Sequence, residues 1–375
     1  MASPNPPGSG KTTLYWLLLP IIIPVLISAV IYQLETFDAA PLPIDIFSNP
    51  ISVPKRHDRV LSVSERIGEG LLLGPEDLAY DARKDLLFTG CHDGWIKTVS
   101  LRDDDPNVQN WTFVGGRPLG LALAPDGSLV VAEPGQGLLM VRERGTMKLL
   151  TDSAEGLRFG LTDGVDVTSD GKIYFTDASY KYPLEDLLME FMEARPYGRL
   201  LSFDPETNQT VVLAKNLYFP NGVSLSPDQR SLIFCETLLL QCKKYYLDGE
   251  KKGIIDIFIQ NLPGFPDNIR YDGEGHYWIG LASGRSYLWD IIFKYPFLRK
   301  MMVALEKNHV RIPQIIENGG LLSVDLNGQP VSLYYDKGLY QVTGGLKIGK
   351  YLYQGSLSKP YLTRIDLDQH VARDV

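Results

Sequence analysis

The sequence predicts an all-β chain that closes into a six-bladed β-propeller with two helical insertions, preceded by one N-terminal transmembrane helix. Three observations carry this: a strand-turn-strand unit that recurs six times, amphipathic stretches in the two longest gaps between copies, and an uncharged run near the N-terminus. The unit is a turn, often Asp-Gly, then a short apolar strand, a polar step and a second apolar strand. The copies start at Leu86 (LLFTGCHDGW), Leu129 (LVVAEPGQG), Ile173 (IYFTDASYKY), Leu232 (LIFCETLLLQC), Tyr277 (YWIGLASGRS) and Leu352 (LYQGSLSKPY). The shorter gaps are about 44 residues, the span of a four-stranded blade, and six blades stacked radially bury their faces on one another and close a ring.

The longer gaps contain PLEDLLMEFMEA, with Leu184, Leu187, Leu188 and Phe191 at helical spacing, and YLWDIIFKYPFLRKMMVALEK, with Trp289, Ile292, Phe293 and Phe297 among basic residues. Helices of this kind pack on the ring, act as a lid over its central cavity, or lie on a membrane.

From Leu14 to Leu34 the chain reads LYWLLLPIIIPVLISAVIYQL without a charge. At ~1.5 Å per residue a helix of that length spans ~30 Å, the thickness of a bilayer core. Glu35-Thr36-Phe37-Asp38 follows directly, with no small-residue cleavage site, so the run is read as an uncleaved signal-anchor. Lys11 before it, and Glu35 and Asp38 after it, orient a type II protein with its propeller in the lumen of the endomembrane system, endoplasmic reticulum or vacuole. The expected division is a cytoplasmic N-terminus (1–13), the anchor (14–34), a stalk (35–60) and the propeller (61–375). GSGKTT, just before the anchor, resembles the end of a phosphate-binding loop, but Asn5 stands where that motif needs glycine and no buried strand precedes it.

With 44% apolar and 22% charged residues the chain has ample core material, and a net charge of −8 with pI about 5.3 gives no electrostatic case for nucleic acid. Cys91, Cys235 and Cys242 match no zinc spacing. Cys235 and Cys242 flank a short stretch between neighbouring strands, where they either pair or remain buried thiols. The sequons at Asn110 and Asn208 are glycosylation sites if the propeller is luminal.

Propellers direct their innermost strands at a central channel, where loops from every blade meet and small molecules bind. Three loops repeat a Pro-polar-apolar element: GPEDLAYD with Glu76, FPNGVSLSPD with Asn221, and GFPDNIRYDGEG with Asp267 and Asn268. Two carboxylates and two amides offer hard oxygen ligands for one cation, for which Ca2+ is the natural candidate. None of the five histidines stands in a recognisable acid-base pair, and no Gly-x-Ser-x-Gly element supports a serine hydrolase.

These elements and the six-blade period resemble the strictosidine synthase-like, adipocyte plasma membrane-associated protein-like family, within the wider superfamily of calcium-dependent lactonases, arylesterases and phosphotriesterases. The resemblance runs from about Leu71 to Leu367, and LPGFPDNIRYDGEGHYWIG is its most specific stretch. It implies that Glu76, Asn221, Asp267 and Asn268 are metal ligands on the channel axis. Those hydrolases take a further ligand from an Asn-Asp pair between the second and third blades; here Leu161-Thr162-Asp163-Gly164 stands there, so Thr162 replaces the asparagine and Asp163 is the substitute oxygen donor. The synthase itself joins tryptamine and secologanin with a glutamate of its last blade. The matching run here, YQVTGGLKIGKYLYQGSL, has none, and Thr343 or Gly344 stands near that place.

The leading expectation is therefore a membrane-anchored lactone or aryl-ester hydrolase, with Asp267 as the catalytic carboxylate and the cation as Lewis acid. One alternative is a synthase-like condensation, which needs another carboxylate, for which Glu133 and Glu236 are the candidates. The other is a non-catalytic propeller that binds a ligand or partner at the channel mouth.

Overall fold

The computed structural model describes residues 35–102, 106–142, 145–310 and 316–375, with isolated positions between 20 and 33. The N-terminal 13 residues, GSGKTT among them, and most of the expected anchor lie outside the described residues. Among those described, no helix is long and apolar enough to cross a membrane.

Six antiparallel sheets follow one another around a ring: residues 78–113, 121–151, 162–217, 220–259, 264–335 and 342–366 form blades 1 to 6. Each blade starts with its innermost strand and works outward. The second strands of blades 2, 3 and 4, Leu129–Glu133, Ile173–Asp177 and Ser231–Glu236, are buried along their whole length, because both faces of each sheet pack on a neighbour. Phe175 and Leu201 are fully covered in the core between blades 2 and 3, and Leu200, Leu232 and Phe234 between blades 3 and 4. Burying one such side chain contributes about 1.5–3 kcal/mol.

Strands from both chain ends complete the ring. Glu65–Ile67 pairs antiparallel with Leu362–Asp366 and supplies the outer strand of blade 6. Lys55–His57 and Arg373–Asp374 extend blade 5 to six strands. The free edges that an open array would expose are thereby paired.

The register locates the two insertions. Thr162, at the start of an innermost strand, pairs with Asp177 at the end of the next, and Gly264 pairs with Gly284 likewise. The segments after Asp177 and Gly284 therefore leave the ring at the end where the innermost strands begin. They contain the helices Leu187–Glu193, Tyr287–Lys294 and Pro296–Lys307, as the helical spacing predicts. Ser286 caps the second, its hydroxyl accepting from Trp289 N, and Pro296 opens the third, where its missing N–H costs nothing.

The segment expected to be a stalk packs against these helices. Leu42 and Val53 are buried, and Ala40 N donates to Glu193 O at 2.8 Å. Arg299, fully buried, donates to Met192 O at 2.8 Å and also to Ala40 O, so one guanidinium ties both insertions to the incoming chain. Cys235 and Cys242 lie opposite each other on adjacent strands of blade 4 and form a disulfide; Cys91 is buried and free. Asn110 and Asn208 are both exposed.

Candidate metal and active site in the channel

Innermost strands of blades 3 to 6 all begin with the same irregularity. Their registers shift between Thr162 and Val165, Pro220 and Val223, Pro266 and Ile269, and Val342 and Gly345. In a regular strand consecutive side chains face opposite sides; a bulge breaks the alternation, so two successive residues can both reach the axis. This is why Asp267 and Asn268 both serve the channel. Glycines next to these residues let the strands converge: a Cβ on Gly164 would lie 2.6 Å from Asn221 O, and one on Gly222 2.5 Å from Asn268 Cα.

The six positions singled out in the sequence, Glu76, Thr162, Asp163, Asn221, Asp267 and Asn268, are all buried at this end of the channel. Asn268 Nδ2 donates to Glu76 Oε1 at 2.7 Å across the axis. Asn221 hydrogen-bonds Asp267. Backbones are held as firmly: Thr343 Oγ1 donates to Glu76 O at 2.5 Å, Thr176 Oγ1 to Asn221 O at 2.7 Å, and Thr237 Oγ1 to Pro266 O at 2.7 Å. Thr343, near the place of the synthase glutamate, thus latches blade 6 to blade 1.

Charge at this end is unbalanced. Burial pushes the Glu76 carboxyl well above the usual glutamate range, and Asp267, Asp77 and Asp163 push it further, against Arg117. Asp267 is raised by burial and by Asp163, with the Asn221 hydrogen bond opposing. Asp163 is raised to about 8 by burial and by Asp77. Glu76 Oε2, Asn221 Oδ1 and Thr162 Oγ1 are buried with no hydrogen-bond partner. Buried acceptors normally have partners, so orphaned oxygens beside like-charged carboxylates fit a set that takes up a cation. Among the described residues no three Asp, Glu, His or Cys side chains stand close enough to hold a metal by themselves. The donor set depends on its amide oxygens, which suits calcium's mixed coordination.

One layer further along the strands the sequence reading missed a second cluster. Asp77 accepts from Leu78 N and Leu121 N, each at 2.8 Å, and from Arg270, whose guanidinium also donates to Leu121 O at 2.8 Å and Val165 O at 3.1 Å. Asp166, raised by burial against the opposing pull of Arg270, accepts from Leu225 N and Val167 N, each at 2.8 Å. Arg270 thus joins blades 1, 2, 3 and 5 about a charge the fold supplies itself. The signal was present: Asp77 adjoins Glu76, and Arg270 follows Asp267 by three residues.

Glu133 and Glu236, the candidate acids of a condensation, are occupied elsewhere. Glu133 accepts from Arg117 N at 2.8 Å and Gln136 N at 2.7 Å; Glu236 accepts from Tyr218 N at 2.9 Å and pairs with Lys243 at 2.7 Å. With Asp177, which accepts from Gly160 N and Leu161 N at 3.1 Å each, they form a repeated staple that holds the loops entering blades 2, 3 and 4. A carboxylate filled by loop N–H groups is a poor proton shuttle. A cavity of about 400 Å³ between the outer parts of blades 2 and 3, lined by Met140, Arg142, Lys148 and Asn208 among others, holds none of the channel residues.

The comparisons bear on this geometry. The strictosidine synthase family model matches residues 163–250, and the strictosidine synthase-like N-terminal model matches residues 59–99. Protein STRICTOSIDINE SYNTHASE-LIKE 7 of Arabidopsis thaliana is 49% identical over 363 residues, covering 96% of this chain and 97% of that protein. The chain belongs to the strictosidine synthase-like family. The human adipocyte plasma membrane-associated protein is 34% identical to this strictosidine synthase-like chain, over 87% of it and 83% of the relative. Among solved structures, a gluconolactonase from Xanthomonas campestris has a TM-score of 0.58 at 16% identity, covering 87% of this chain and 97% of the other. The calcium-binding protein regucalcin from Agrobacterium tumefaciens has a TM-score of 0.59 at 14% identity, covering 87% and 98%. These likenesses establish the six-bladed propeller as the fold shared with both.

Proposed function

We propose that this strictosidine synthase-like protein is a membrane-anchored, luminal hydrolase of lactones or aryl esters that works with one channel-bound calcium ion. The observation that carries the reading is the pair of orphaned, buried oxygens, Glu76 Oε2 and Asn221 Oδ1, beside carboxyls raised by mutual repulsion. Glu76, Asn221, Asp267 and Asn268 would hold the ion, with Asp163 at the position next to Thr162. Bound there, calcium supplies Lewis-acid polarisation of a carbonyl oxygen. The chain's own residues do the rest. Asp267, buried near Asp163 and hydrogen-bonded by Asn221, is the carboxylate placed to take a proton from a water that adds to the acyl carbon, the alkoxide or phenoxide then leaving as its bond to that carbon breaks and taking the proton up. Asn221 and Asn268 orient the two carboxylates, each through a hydrogen bond. Phe265 packs on Trp289 and Phe293, with ring centroids 5.8 and 5.9 Å away, an aromatic cluster beside Pro266 and Asp267.

The gluconolactonase and the calcium-binding regucalcin among the fold relatives support this class of chemistry. The membrane-associated naming of the animal relatives supports the anchor at 14–34. A luminal propeller would be glycosylated at Asn110 and Asn208. The test is calcium calorimetry on the full-length chain beside Asp267→Ala, followed by a lactone and aryl-ester screen with and without chelator. Micromolar binding lost in the variant, with chelator-sensitive turnover, is the expected result. Neither binding nor turnover would leave a ligand-binding propeller.

A further inference from the structure

The two helices Tyr287–Lys294 and Pro296–Lys307 are amphipathic, and each also leaves large apolar side chains in the open. One side packs into the core at the channel end through Ile292, Phe293, Val303 and Ala304. Elsewhere on them, among the described residues, Tyr287 is 81% exposed, Phe297 50% and Leu288 44%, and Tyr295 and Leu305 are exposed as well. Lys294, exposed, flanks these residues. Large apolar groups exposed together beside lysines need a partner, since scattered exposure does not produce such a face.

The chain indicates that partner by where it arrives. Glu35, the first residue after the uncharged run 14–34, pairs with Lys307 at 2.8 Å, and Lys300 lies 4.5 Å from the centroid of the Tyr32 ring. From Glu35 to Ala40 the backbone is strapped to the insertions by Ala40 N to Glu193 O and by Arg299. No slack separates the apolar run from the last helix, so whatever receives the run must also meet the exposed face.

We propose that the exposed face of residues 287–307 lies in the interface of the lipid bilayer, so that the channel mouth opens toward the membrane. This rests on the anchor reading above and narrows the substrate class: the channel takes an apolar ester or lactone dissolved in the bilayer. The register supports the direction, because both insertions leave the ring at the end where Glu76, Asn221 and Asp267 stand. Tyr287 and Tyr295 at the headgroup level and Lys294 reaching to the phosphates are side chains such a position favours.

The test uses the full-length chain in phosphatidylcholine–phosphatidylserine nanodiscs, spin-labelled singly at Tyr287→Cys, Phe297→Cys or Glu250→Cys. Glu250 lies in the exposed turn after blade 4's third strand, at the opposite end of the ring, and the native thiol Cys91 is buried. Relaxation by oxygen is compared with relaxation by a nickel chelate. Oxygen is expected to dominate at 287 and 297 by several-fold, and nickel at 250. Nickel dominance at all three sites overturns the proposal while the anchor stands. Shielding from both reagents at 287 and 297 also overturns it, because a second copy or another protein then covers the face. A chain that does not co-elute with the discs removes the anchor and the docking face together.

Discussion

The channel contains two carboxylate clusters one layer apart, and the fold treats them in opposite ways. In the deeper one Asp77 is matched by Arg270, two backbone N–H groups and the carbonyls that share the guanidinium. In the outer one Glu76, Asp163 and Asp267 face each other with amides between them, and Glu76 Oε2 and Asn221 Oδ1 are left unpaired. Nearly the same residue types thus make a structural rivet in one layer and an open ligand set in the next. What differs is whether the chain supplies the cation. Stability belongs to the closed cluster, and on the proposed calcium reading the open one is kept at a cost in stability because an ion completes it.

The sharpest way to break that contrast is to remove the internal cation. Arg270→Met leaves Asp77 buried and uncompensated, which costs about 3–5 kcal/mol for a buried pair that loses one partner. Denaturant unfolding of the metal-free chain should show that loss as a lowered midpoint at unchanged slope. If the midpoint barely moves, the deeper cluster is not the rivet described.

The matching change in the outer layer should do the reverse. Asp267→Asn removes one of the repelling carboxylates, so metal-free stability should hold or rise, while calcium affinity falls at least ~100-fold, since even the outer supports of a metal site are worth 10–100-fold. Calorimetry and unfolding on the same sample separate the two effects. A destabilised Asp267→Asn chain would mean that the outer layer is structural too.

Protons offer a third comparison. A buried acid whose folded pKa is raised binds its proton more tightly folded than unfolded, so stability falls as pH rises between the two values. For Asp163 that window runs from the usual 3.8 to about 8. The metal-free chain should lose thermal stability from pH 5 to pH 8, and saturating calcium, which favours the ionised carboxyls, should flatten the slope and bind more tightly as pH rises. A metal-free melting temperature that is flat with pH would contradict the crowding of Glu76, Asp163 and Asp267.

The ring and half of the candidate cluster could be read from the sequence because both are repetitive. The strand-turn-strand unit has a period, and Glu76, Asn221 and Asp267 follow proline at equivalent blade positions, so pattern alone brought them together. Helical spacing likewise revealed the insertions at 187–193 and 287–307. Arg270 escaped because nothing local marks it: its partners Asp77, Leu121 and Val165 are 105 to 193 residues away, and only ring closure assembles them. Glu133 and Glu236 were misleading for the opposite reason. A carboxylate at a strand end looks available in sequence, yet loop N–H groups three to eighteen residues away consume it. The segment 35–54 has a linker's proline content, and its packing depends on Arg299, far along the chain.

The smallest effect tests Thr162, which stands where the lactonase pattern that the sequence resembles has asparagine. Thr162 Oγ1 is buried and unpartnered, so its oxygen is present in the outer layer. A threonine hydroxyl is a weaker and shorter donor than an asparagine amide oxygen, and the bulge between Thr162 and Val165 gives the longer side chain a route to the axis. Thr162→Asn should therefore tighten calcium about tenfold, worth ~1.4 kcal/mol, with metal-free stability almost unchanged. Calorimetry on the single variant decides it. A gain means that the outer cluster accepts amide donors in place of hydroxyl ones and that Thr162 sets the affinity. No gain, with binding otherwise intact, means that Asp163 already fills that coordination position.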